Sequence, residues 1–154
     1  MTNRSRTVGL LALGLAVAVF FGLYARVFWD LARVWRTDEN FSHAPLMIPV
    51  IGYLVWTRRD QLAQEPLRPA NSGLLVVAVS LAVLLIGTAG VEFFLMRTSA
   101  IGVIAGTIVF VAGWRWLRLL LFPLSLTALM VPIPPVLFYQ AAFPLQLLAT
   151  KFGV

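Results

Sequence analysis

Cysteine does not occur among the 154 residues. That excludes a disulfide, a Cys-ligated zinc site and a cysteine nucleophile within these residues. Histidine occurs once, so a zinc site built on several imidazoles is excluded as well. Charge is scarce, at 12 % of residues against roughly 25 % in a soluble domain, whereas hydrophobic residues reach 60 %. Such a chain takes lipid as its solvent. Backbone polar groups in hydrocarbon must be satisfied within the protein, so its apolar runs are helices and the fold class is an all-α polytopic membrane protein.

The few charges cluster, leaving Val8 to Ala25, Gly73 to Gly90, Thr98 to Trp114 and Leu119 to Thr150 uncharged. Runs of this length cross about 30 Å of hydrocarbon at about 1.5 Å per residue. About five spans are expected, near residues 8–25, 41–57, 73–90, 98–114 and 116–131. The first carries Gly14, Ala18 and Gly22, a small-residue stripe suited to close helix packing, and is read as an anchor rather than a cleaved signal. Residues Arg26 to Arg36 form either a helix lying in the interface or an extension of the first span. The second span is short and is expected to kink at Pro45 and Pro49. Thr57 to Asn71 is a charged, proline-rich loop, and Glu92 and Arg97 are assigned to a turn, leaving the clear spans without ionisable groups. Gly102 and Gly106 form a GxxxG pair read as packing. Pro123 lies inside the fifth span, and 132–154 is a Pro-rich tail that is interfacial, re-entrant or a sixth membrane segment.

The net charge of +6 does not point to nucleic acid. The arginines stand in pairs at the ends of apolar runs, where they reach headgroups of the lipid bilayer and set orientation. Arg4, Arg6, Arg58, Arg59, Arg68, Arg115 and Arg118 outnumber Arg26, Arg33, Arg36, Arg97 and Lys151, which places the N-terminus on the cytoplasmic side. The Arg26 to His43 stretch and the tail then face outward.

The densest polar cluster is Trp35-Arg36-Thr37-Asp38-Glu39-Asn40-Phe41-Ser42-His43. A carboxylate, Asp38 or Glu39, can orient the imidazole of His43 as a base. Ser42 and His43 are adjacent and their side chains diverge, which argues against a serine nucleophile activated by that histidine. The alternative is that these residues cap and anchor a helix at the membrane surface. No metal or cofactor is implied.

The pattern Trp35-x-x-Asp38-x-Asn40-Phe41-Ser42-His43, then Pro49 and Trp56-x-Arg58-Arg59, resembles the N-terminal signature of the exosortase/archaeosortase family. Pro132-Ile133-Pro134-Pro135, Pro144-Leu145-Gln146 and Ala149-Thr150 resemble the stretch that precedes the catalytic part of bacterial exosortases. Phe41 and Ala44 depart from the Tyr and Gly common in the family. The resemblance implies a membrane cysteine protease-transpeptidase of the bacterial inner membrane, associated with exopolysaccharide producers. Such an enzyme processes exported proteins that carry a C-terminal PEP-CTERM signal, by thiolate attack and an acyl-enzyme. The family's Cys, Arg and His lie C-terminal to the Pro-Leu-Gln stretch. These residues are therefore expected to be the N-terminal portion, inactive alone, with Trp35, Asp38, Asn40, Ser42 and His43 shaping the substrate groove. His43 is not taken for the catalytic histidine. The competing expectation is a non-catalytic membrane assembly or transport subunit.

Overall fold

A computed structural model of the chain describes residues 2–41, 43–90, 92–132, 143 and 150, with the backbone alone described for 2–13 and Asn40. Every regular element among them is helical. Ser42 and nearly all of the 132–154 tail, with its three alternative membrane arrangements, lie outside the described residues. The chain divides into two compact units, Met1–Ser42 and His43–Val154.

The first unit is helix α1, Thr2–Thr37, followed by one 3-10 turn at Glu39–Phe41. Arg26 to Arg36 is thus an extension of the first helix and not a separate interfacial one. Neither proline nor glycine occurs between Leu23 and Thr37 to break it. Phe20, Tyr24 and Phe28 stack on successive turns, with ring centroids 5.0 and 6.3 Å apart. At the end of α1, the Thr37 hydroxyl donates to the Arg33 carbonyl at 3.1 Å and the Asp38 amide to that of Val34 at 2.9 Å.

The second unit holds α2 (Ala44–Thr57), α3 (Arg59–Gln64), α4 (Ser72–Ala89), α5 (Phe93–Val111) and α6 (Trp114–Leu129). α4 packs on α5, α5 on α6, and α6 on α2. Among the described residues, three helices are long and apolar enough to cross a membrane: α1 through Gly14–Thr37, α4 and α5. α2, with 14 residues, covers about 21 Å and α6, with 16, about 24 Å, both short of the ~30 Å hydrocarbon thickness.

The α4–α5 pair is closed by small residues. Gly73, Ser80, Leu84 and Gly87 of α4 are buried against a face of α5 that includes Ala100, Val103, Gly106 and Val109. A Cβ at Gly106 would meet Val77 at 2.8 Å, and one at Gly102 would strike the Ser80 hydroxyl. The GxxxG pair is therefore spent inside the unit. Large side chains such as Leu74, Leu75, Leu85 and Ile86 are exposed, facing where lipid would lie.

The 65–71 loop seals one end of this unit. Its Arg68 and Ala70 amides donate to the Ala112 and Val109 carbonyls, at 3.1 and 3.3 Å, supplying donors that the end of α5 lacks. Gly113 follows at φ 99°, with the Arg68 carbonyl packed where a side chain would stand. Trp116 donates its indole N–H to the Glu65 carbonyl at 3.2 Å, Trp114 donates to Ser72 at 2.9 Å, and Arg115 pairs with Glu65 at 3.2 Å.

Candidate functional site at the motif between the first two helices

The predicted site residues straddle the boundary between the two units. In the first, α1 carries Trp35, half-buried in its last turns, and delivers Asp38 to the start of the 3-10 turn. That turn is closed by the Phe41 amide donating to the Asp38 carbonyl at 3.1 Å and has Asn40 on its backbone. The same end of α1 carries the exposed guanidinium groups of Arg33 and Arg36, which line a shallow depression together with Trp29, Ala32 and Thr37. Ser42 lies outside the described residues.

In the second unit, His43 stands exposed at the N-cap of α2, and its side chain makes no capping hydrogen bond. Little is left for it to cap. Pro45 falls in the first turn and brings no N–H, and the Leu46 amide donates to the His43 carbonyl at 3.0 Å. Pro45 therefore begins α2 instead of kinking it, and Pro49 alone lies inside. Among the described residues, no three His, Asp or Glu side chains group as metal ligands.

At the far end of α2, the two consecutive arginines of the signature diverge. Arg59 stacks on Trp56, 4.6 Å from the ring centroid, and pairs with Asp60 at 3.6 Å. Arg58 turns toward α6, where its guanidinium donates to the Leu119 carbonyl and lies over the Phe122 ring at 5.9 Å. This contact spans 61 positions in sequence. Its one legible signal is Pro123, because a proline inside a helix leaves the carbonyl four residues earlier without its amide donor.

Arg97 is a correction to the sequence reading. It is not in a turn but in the second turn of α5, buried, with its guanidinium 5.7 Å from the centroid of the Phe93 ring. An ionisable group thus does lie inside one of the long apolar helices. Such a group is costly in a membrane, and a π-face offsets part of that cost.

A family profile described as transmembrane exosortase matches residues 35–154. The chain belongs to the transmembrane exosortase family. The match begins at Trp35, the first residue of the motif, and covers more than three quarters of the chain. No curated protein and no solved structure matches it. Together with the three span-length apolar helices among the described residues, membership makes this chain a multi-pass membrane protein. The family boundary falls near the end of α1, so most of that helix precedes the shared part while the whole polar cluster lies within it.

Proposed function

We propose that these residues form the N-terminal, substrate-facing portion of a membrane cysteine protease-transpeptidase that processes exported proteins bearing a C-terminal PEP-CTERM signal. The observation that carries this reading is the family match starting at Trp35, where the polar cluster at the end of α1 begins. Trp35, Asp38, Asn40, Ser42 and His43 shape the substrate groove. The exposed guanidinium groups of Arg33 and Arg36 in the last turns of α1 suit the acidic residue of such a signal. With no cysteine among the 154 residues, these residues contribute binding and orientation, and alone they are inactive.

Orientation supports the reading. α2 runs from Ala44, next to His43, to Thr57, so within the second unit the Arg58, Arg59, Arg68, Arg115 and Arg118 end lies opposite His43. The positive-inside rule puts that basic end in the cytoplasm, and His43 then faces the outer side of the bacterial inner membrane, where exported substrates arrive.

Two measurements test the proposal. Translation of the DNA after codon 154 should yield further apolar segments bearing one Cys followed by Arg and His, and unrelated sequence there would count against the assignment. With that region in frame, Asp38→Ala and His43→Ala should each cut cleavage of a PEP-CTERM reporter about tenfold or more, equivalent to about 1.4 kcal/mol. Unchanged cleavage would leave the cluster an anchor of α1 and α2. The absence of cysteine favours a second reading, a non-catalytic membrane subunit, under which the reporter stays intact whatever follows residue 154.

A further inference from the structure

Pro123 lies inside α6 with its side chain fully buried. It has no N–H to offer the carbonyl four residues earlier, which belongs to Leu119. Neighbouring carbonyls of the same helix receive hydroxyl donors from within it: Ser125 donates to Phe122 at 2.8 Å and Thr127 to Leu124 at 2.6 Å. The Leu119 carbonyl is instead reached from outside by the guanidinium of Arg58, at the end of α2. The same group covers the ring of Phe122, the residue before Pro123. Asp60 pairs with Arg59 and Glu65 with Arg115, so neither of these carboxylates draws Arg58 away from α6.

α2 needs such a contact more than α4 and α5 do. Of its 14 residues only Ala44 is buried, and Leu46, Ile48, Val50, Tyr53 and Trp56 are exposed. Packing without interlocking surfaces leaves the rotation and depth of a helix weakly defined, whereas a charge-assisted hydrogen bond from a rigid guanidinium is directional.

We propose that Arg58 is the positioning residue of α2: it replaces the donor that Pro123 withholds from Leu119, and this clamp sets the rotation and depth of α2, hence the place of His43 at its opposite end. Arg58 and Pro123 act as one device. The substitution Pro123→Ala brings back the amide that closes the helix onto the Leu119 carbonyl, and Arg58 then loses its dedicated acceptor.

The test is a double-mutant cycle on the full 154-residue chain in phosphatidylcholine nanodiscs, with Arg58→Met, Pro123→Ala and their combination. Arg58→Met should lower the thermal unfolding midpoint by about 4 °C in the parent chain and by less than half of that in the Pro123→Ala background. Equal losses in the two backgrounds, or no loss in the parent, would overturn the proposal. Because the chain has no cysteine, Leu46→Cys and Leu129→Cys give one labelled pair reporting α2 against α6. Arg58→Met should broaden the spin-label distance distribution, and Pro123→Ala should remove most of the difference that Arg58→Met makes. A distribution indifferent to Arg58 would refute the positioning role even if stability falls. Should Arg58→Met fail to accumulate, Arg58→Lys, which keeps the charge but loses the planar fork, carries the same cycle with the same deciding outcomes.

Discussion

α4 and α5 approach backbone to backbone at Gly73 and Gly106, while α2, with one buried residue, is tied to α6 through Arg58 and the Leu119 carbonyl. Between apolar helices in lipid there is no hydrophobic gain to be had, so close dispersion contact must hold the first pair, and small residues permit it. The second pair, with Met47, Ile51 and Leu54 only half-buried, has less of that contact and adds a polar interaction at its end. Volume is critical in one place and direction in the other.

The sharpest way to break this contrast is to add bulk where α4 meets α5. At Gly73 even a Cβ would collide with the Phe110 amide and the Gly106 carbonyl, both backbone atoms that cannot swing aside. Gly73→Leu should cost about 3 kcal/mol or more, seen as a fall of about 10 °C in the unfolding midpoint or as loss of folded protein. Gly113→Ala, in the connection from α5 to α6, should cost about 2 kcal/mol, since φ 99° is strained for alanine and the Arg68 carbonyl fills the site. A thermal melt within error of the parent would mean that the loop 65–71 yields easily. The smallest effect belongs to α2. Gly52 faces open space, so Gly52→Leu should shift stability by no more than about 0.5 kcal/mol. A large loss there would show that α2 has a packed partner on that side and would erase the contrast.

The apolar runs made the long helices readable, because no proline or charge interrupts Gly73 to Gly90 or Thr98 to Val111. The start of α5 was not readable. Glu92 and Arg97 look like a turn by composition, yet no breaker separates them, and α5 begins at Phe93 with Arg97 buried beside that ring. The continuity of α1 through Arg26 to Arg36 was one of two open readings, because alternating charged and apolar residues suit both a helix on the membrane surface and one leaving it. In the candidate site, the motif from Trp35 to His43 stood out by its residues alone. Its division between the end of α1 and the start of α2, with His43 exposed and not capping, came from the backbone path.

By itself the amino-acid sequence determined the solvent, the helical class and the family, since each rests on local patterns: uninterrupted apolar length, arginines at run ends, and a polar motif of fixed spacing. Backbone groups in lipid are satisfied within a helix, so a span is decided by its own residues. Tertiary structure alone decided that Gly102 and Gly106 are consumed by α4, that Arg97 is buried, and that Arg58 serves a carbonyl 61 positions away. Those outcomes depend on which surfaces meet, and helices joined by loops can meet in several ways that leave every local pattern unchanged.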